Sequence, residues 1–213
     1  MAKVLQILEH SPRLYEVLVE NPGLDFQPGD STLLVDRDKI TARPYCIASH
    51  PSEAVLRFLV SRITGGALSN SLDLLRVGDD ISVGPCFGQL HPAANRAPKV
   101  FIATGTGIAP FLSYFGDATA PPPLALLYGV RYFADAIDWK QLQQRCPTTR
   151  LAVSAERVPD THYGRVTDLF HSLPIATGIE YYLCGHGDMI RSATDHLQEI
   201  GITPTAIKTE KFF

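Results

Sequence analysis

The run Val100–Ala103, followed by Thr104-Gly105-Thr106-Gly107-Ile108-Ala109-Pro110, constrains this chain more than any other segment. A β-run that ends in small residues and opens a helix lets the backbone approach an anion. The helix N-terminus then aims N–H groups and a partial positive charge at it. A second β-run, Tyr181-Tyr182-Leu183-Cys184, ends in Gly185-His186-Gly187-Asp188-Met189. Neighbouring strands ending this way share one crevice of a parallel sheet. The second half is therefore expected to bind a dinucleotide, with Cys184 where the reactive ring would lie.

The surrounding pattern agrees. From Lys99 the chain alternates β and α: strands Val100–Ala103, Leu124–Tyr128, Leu151–Ser154, Tyr181–Cys184 and Ala206–Thr209, with helices Gly107–Phe115, Trp139–Arg145, Val166–Leu173 and Asp188–Ile200. Alternation of this kind predicts a parallel-sheet α/β domain of Rossmann-like form with helices on both faces. Residues 1 to about 90 have another texture, with short β-runs at Val4–Leu8, Tyr15–Glu20, Thr32–Val35, Tyr45–Ala48, Val55–Ile63 and Asp80–Val83. Turn signals at Asn21-Pro22-Gly23, Pro28-Gly29-Asp30 and Val77-Gly78-Asp79 separate them. Six such runs predict a small antiparallel barrel of Greek-key type, interrupted by a short helix at Leu68–Leu75. The segment His91–Pro98 carries two prolines and no apolar period, so the domains are expected to span 1–96 and 97–213.

Composition narrows the function. The chain of 213 residues is 45% hydrophobic and 19% charged, which supplies real cores, and its net charge of −3 gives no support for nucleic-acid binding. Residues 1–16 lack a signal-peptide pattern and no run of 18 apolar residues occurs, so a cytoplasmic protein without a membrane span is expected. Cys46, Cys86, Cys146 and Cys184 form neither CxxC pairs nor an iron–sulfur spacing, and no metal site is expected.

In the first half, Arg43-Pro44-Tyr45-Cys46-Ile47-Ala48-Ser49 stands out. The fork of Arg43 suits a diphosphate, and Tyr45, two residues on, shares its strand face and suits a flat ring. Gly65-Gly66-Ala67-Leu68-Ser69-Asn70 precedes the short helix and fits a second phosphate anchor or a plain capped helix.

Taken in order, RPYCIAS, GGALSNSL, TGTGIAP, LYGVR, YLCGHGDM and the ending TEKFF resemble the ferredoxin–NADP reductase superfamily over nearly the whole chain. The resemblance implies a flavin-binding barrel and an NAD(P)-binding domain. It implies hydride exchange between NAD(P)H and bound FAD, then one-electron transfer to a separate ferredoxin or flavodoxin. FAD is expected rather than FMN. Arg43, Pro44, Tyr45, Cys46 and Ser49 would line the flavin, while Leu68, Ser69 and Asn70 would cap its pyrophosphate. Thr104, Gly105, Thr106 and Gly107 would meet the nucleotide pyrophosphate, with Thr106 near the flavin. Cys184, Gly185, Asp188 and Met189 belong to the nicotinamide motif, in which Cys184 and Glu210 would position the ring. Phe212 and Phe213 are similar to the terminal aromatics that stack on the flavin in bacterial relatives. Cys46 stands where the family motif has serine, and a thiol is the weaker donor.

Within the same resemblance, Arg131, Ser154, Arg157 and Arg165 are the candidates for a 2′-phosphate site. They favour NADP, and NAD stays open because Ala155 removes one family arginine. Arg13, Arg37, Lys39, Arg62 and Lys211 are candidate contacts for an acidic carrier protein. An NAD(P)H:flavin reductase, the reductase component of an oxygenase, and a nucleotide-sensing module without turnover remain as alternatives.

Overall fold

The described residues of 1–91 fold, as the six short β-runs predict, into a six-stranded antiparallel sheet. The computed structural model describes residues 1–35, 42–62 and 71–212, apart from the side chain of Phe212. The strands are β1 (Ala2–Ser11), β2 (Leu14–Glu20), β3 (Ser31–Val35), β4 (Ala42–Cys46), β5 (Val55–Ser61) and β6 (Asp80–Phe87). They lie in the order β4-β3-β6-β1-β2-β5. Side chains alternate across a strand, so Tyr15, Val17 and Val19 of β2 point inward with Val4, Phe58, Val60 and Ile81. Each large apolar side chain removed from water there contributes about 1.5–3 kcal/mol. The sheet closes on itself. Tyr45 on β4 and Phe58 on β5, its two outer strands, meet edge to face with centroids 6.5 Å apart. Just beyond β4, the Ala48 N–H donates to the Arg57 carbonyl at 2.8 Å. Pro44, which brings no N–H to the ladder, sits on outer strand β4, where that omission is tolerated.

Two compact units result. One is Met1–His91 with Ala109–Asp117, and the other is Pro92–Ile108 with Ala118–Phe213. The second holds β7 (Lys99–Thr104), β8 (Ala125–Val130), β9 (Thr149–Val153), β10 (His162–Tyr163), β11 (Glu180–His186) and β12 (Ile207–Phe212). All pairings are parallel, in the order β10-β9-β8-β7-β11-β12. Strands β7 and β8 are buried along almost their whole length, because a parallel sheet is covered on both faces. One face packs Ile102, Leu127, Ala152 and Leu183 against Met189, Ala193 and Leu197 of a helix at Gly187–Glu199.

Three local expectations change. The helix expected at Gly107–Phe115 divides into a 3-10 turn, Gly105–Ile108, and helix α1, Ala109–Phe115. Pro110 lacks the N–H that would continue an α-helical ladder back into the turn, so the tighter turn forms there. Residues Val166–Ser172 are also 3-10 rather than α. Strand β10 was not anticipated, since two residues show no periodicity. Helix α2 (Trp139–Arg145) lies where it was expected, and α3 (Gly187–Glu199) within a residue of its expected limits. Of the short helix expected at Leu68–Leu75, residues 68–70 lie outside the described residues.

Buried Lys99 fastens the start of the second sheet. Its Nζ donates to the Asn95 carbonyl at 2.7 Å, the Ala97 carbonyl at 2.7 Å and Asn95 Oδ1 at 3.2 Å. Burial holds its ammonium below the usual lysine range. Lys99→Met strands these acceptors and is expected to cost about 1–3 kcal/mol in chemical denaturation.

Candidate flavin and nucleotide sites

In the second unit, strand order reverses between β7 and β11: the chain leaves β7 toward β8 and returns on its other side as β11. Open α/β sheets hold ligands outside the C-terminal strand ends at such a point. Thr104-Gly105 and Cys184-Gly185-His186 occupy those two ends. They are packed backbone to backbone. A Cβ on Gly107 would overlap the Cys184 carbonyl, and one on Gly185, whose φ is 134°, would overlap Thr104 Oγ1. That hydroxyl also accepts the His186 N–H at 2.9 Å. Gly105 differs: its φ is 53° and a Cβ there would meet nothing within 4 Å. The turn therefore combines a tightly held base with an open backbone face, which fits an approaching phosphate.

Cys184 is fully buried and lies in register with Ala103 of β7 and Glu210 of β12. The structure thus brings Cys184 and Glu210 together on adjacent strands, with Glu210 Oε2 shielded from solvent. Phe212 pairs in register with His186, whereas Phe213 lies outside the described residues. Asp188 is exposed at the start of α3 and binds Arg191 at 3.1 Å. Met189 instead packs into the hydrophobic core. It falls on the apolar stripe of α3 with Ile190, Ala193 and Leu197.

The ends of β8, β9 and β10 gather the arginines. Register places Val130 beside Val153 and Val153 beside Tyr163. Pairing continues past the strands, as Ala155 N–H donates to the Arg131 carbonyl at 2.9 Å and Gly164 N–H to the Val153 carbonyl at 3.0 Å. Arg131, Ser154 and Arg165 accordingly extend from adjacent strand ends, all exposed. Arg157 lies over the Tyr163 ring at 4.3 Å. Arg131, Arg157 and Arg165 enter no ion pair with a carboxylate among the described residues. The neighbouring Asp168 is occupied by His162 at 3.0 Å and by the Arg165 N–H at 2.8 Å, and these bonds hold its carboxyl below the usual range.

In the first unit, Arg43 is exposed. Its Nη1 bonds the adjacent Ala42 carbonyl at 2.8 Å, and it enters no ion pair among the described residues. Tyr45 is half-buried, and burial pushes its phenol up to about 12. A cationic fork and an aromatic face two residues apart on one strand suit a diphosphate and a flat ring. Cys46 is buried with its Sγ 3.1 Å from Ser31 Oγ, its register partner on β3. Ser49 is also buried: its Oγ accepts the Arg57 N–H at 3.1 Å, and its carbonyl accepts Ser113 Oγ of α1 at 2.7 Å. Those bonds tie the end of β4 to β5 and α1. Leu68, Ser69 and Asn70 lie outside the described residues.

Residues 101–195 match the model of the oxidoreductase NAD-binding domain family. The chain is 30% identical over 216 residues to the ferredoxin–NAD(P)+ reductase component of naphthalene 1,2-dioxygenase/salicylate 5-hydroxylase systems from Ralstonia, covering 96% of this chain and 65% of that one. It is 28% identical to the toluate 1,2-dioxygenase electron transfer component of Pseudomonas putida, over 89% of this chain and 59% of that one. Among solved structures, the cytochrome P450 reductase of Amycolatopsis aligns with a TM-score of 0.87 at 28% identity, over 99% of this chain and 68% of that one. A ferredoxin NADP+ reductase from Neisseria gonorrhoeae shares the fold, with a TM-score of 0.88 over 100% of this chain and 98% of that one at 20% identity. The whole chain has the fold of these reductases. It spans about three-fifths of the length of the two curated relatives named here.

The candidate residues read from the sequence leave out Ser31, His186 and Tyr163. Ser31 carries no motif and is found only through its register with Cys46. His186 lies inside the nicotinamide motif, where its Nδ1 accepts the Asp188 N–H at 3.2 Å. Tyr163 is signalled only by the exposed ring on which Arg157 rests. Of the candidate carrier contacts, Arg62 is consumed internally, bonding Glu9 at 2.6 Å and Asp73 at 2.8 Å. Arg37 and Lys39 lie outside the described residues. No helix among the described residues is long and apolar enough to cross a membrane.

Proposed function

We propose that the protein is an FAD-dependent NAD(P)H oxidoreductase that passes electrons to a separate carrier protein, a ferredoxin or flavodoxin. The packing of the Gly105–Ile108 turn against Cys184-Gly185 at the switch point carries this reading. A flavin held by Arg43, Tyr45 and the Cys46 segment would supply the redox chemistry, hydride exchange with nicotinamide and one-electron release. The chain's own residues bind and orient. Arg43 holds diphosphate charge, Tyr45 offers a flat apolar face, and the Cys46–Ser31 pair supplies a buried donor at the end of β4. Thr104, Gly105 and Thr106 receive the nucleotide pyrophosphate, while Cys184 and Glu210 set the nicotinamide position. The unpaired-by-carboxylate arginines 131, 157 and 165 support NADP over NAD. Four free cysteines support a cytoplasmic setting.

The names of the Ralstonia and Pseudomonas putida relatives favour one second reading, in which the acceptor is an oxygenase component. Anaerobic titration of the yellow protein decides the core claim. NADPH is expected to bleach the flavin much faster than NADH. Arg131→Ala with Arg165→Ala is expected to weaken NADPH binding at least tenfold and leave NADH nearly unchanged. A flavoprotein that neither nucleotide bleaches sinks the enzyme reading. Preference for NADH removes the arginines from the nucleotide site.

A further inference from the structure

Resting on that function, we infer that Tyr128 is a positioning residue for the nucleotide: its buried hydroxyl holds the Gly105 carbonyl and so fixes which way the N–H of the same peptide, that of Thr106, faces. Tyr128 stands on β8 in register with Ala103 of β7, two residues before Gly105. Its side chain is fully buried, so it meets no ligand directly and acts through what it binds. The hydroxyl donates to the Gly105 carbonyl at 3.2 Å and to the Asp135 carbonyl at 3.2 Å. One proton shared by two acceptors gives two bonds, each longer than a dedicated O–H···O bond.

Glycine makes this tether matter. Gly105 has a φ of 53°, and a Cβ there would meet nothing within 4 Å. A glycine takes either sign of φ at little cost, so its own backbone leaves the Gly105–Thr106 peptide free to turn over. That peptide is trans, and its carbonyl and N–H point in opposite directions. With the carbonyl on the phenol, the Thr106 N–H points away from the buried ring, and Thr106 itself is partly exposed. A peptide N–H held in one direction suits an anion. The second acceptor gives the phenol a fixed reference. Asp135 ends the 3-10 turn Phe133–Asp135, whose first N–H donates to Glu156 Oε1 at 2.6 Å. The Asp135 carbonyl also receives the Ile137 N–H at 3.1 Å. Burial pushes the phenol above the usual tyrosine range, so it stays a donor at neutral and mildly alkaline pH.

Tyr128→Phe removes the hydroxyl and keeps the ring. Asp135 retains the Ile137 N–H, so the melting temperature is expected to fall by no more than about 4 °C. ADP carries a pyrophosphate and 2′-AMP does not. In calorimetry, the variant flavoprotein is expected to bind ADP and NADPH about five- to tenfold more weakly and 2′-AMP with unchanged affinity. Unchanged ADP affinity, or an equal loss for ADP and 2′-AMP, would each overturn the assignment. The wild-type flavoprotein gives a second test that needs no variant. Its Tyr128 hydroxyl proton is expected to shift in NMR on adding ADP and to stay in place with 2′-AMP, and a proton that ADP leaves unmoved overturns the assignment too. Wild-type protein that binds neither NADPH nor NADH overturns the proposed function and this inference with it, whereas the other outcomes overturn the inference alone.

Discussion

Gly107→Ala is expected to abolish NADPH-dependent flavin bleaching and to lower the stability of the second unit. The added methyl would fall on the Cys184 carbonyl and within 2.6 Å of the Gly185 Cα. Both are backbone, and β11 is held by β7 on one side and β12 on the other, so neither can swing away. Overpacking of this kind costs typically 1–3 kcal/mol when side chains can adjust, and more here. The end of β11 must move, and Thr104, Gly185 and His186 move with it. We expect at least a hundredfold loss of NADPH affinity alongside a fall in melting temperature. Gly105→Ala provides the contrast. Its Cβ meets nothing, so the fold bears only the cost of a left-handed backbone, about 1–2 kcal/mol. Nucleotide binding should still weaken, because the methyl stands on the face a phosphate approaches. Native affinity in Gly107→Ala would show that the turn and β11 are not a single binding element.

Glu16→Ala is expected to destabilise the first unit by about 3 kcal/mol, read as a shift of the denaturation midpoint at constant slope. Glu16 is only 1% exposed. It receives Arg57 through two bonds, Nε on Oε2 at 2.6 Å and Nη2 on Oε1, and His10 Nε2 lies 2.8 Å from that same Oε1. These three residues come from β1, β2 and β5, so the carboxylate joins three strands on one face. Removing it takes from the Arg57 guanidinium, 20% exposed, the carboxylate that receives two of its N–H groups. Arg57 also supports the flavin segment, since its N–H donates to Ser49 Oγ and its carbonyl accepts the Ala48 N–H. Weaker flavin retention on gel filtration should accompany the loss. A Glu16→Met, Arg57→Met pair should recover part of the stability, as no buried charge is then stranded. A midpoint unchanged in Glu16→Ala would mean that the cluster contributes nothing net.

The sequence by itself determined the order and kind of most elements. Strands β7 and β8 read as unbroken apolar runs because both faces of a parallel sheet are covered, and β2 reads as alternating because only one face enters the barrel core. The glycines of the 104–108 turn and the Arg43-Pro44-Tyr45 spacing were equally legible, since they depend on local backbone freedom and side-chain direction. Periodicity tells which face a residue presents. It does not tell which residue will stand opposite. Tertiary structure alone placed Gly107 against the Cys184 carbonyl, Ser31 beside Cys46 and Glu210 beside Cys184, because strand register is settled by packing across the sheet. It also assigned Arg62 to Glu9 and Asp73, turned Ser49 into a tie, and sent Met189 into the core. The same polar or flexible side chains suit a surface, a ligand or a neighbour. Only the neighbours that folding brings within about 3 Å decide among these, by satisfying the donor or leaving it for a ligand.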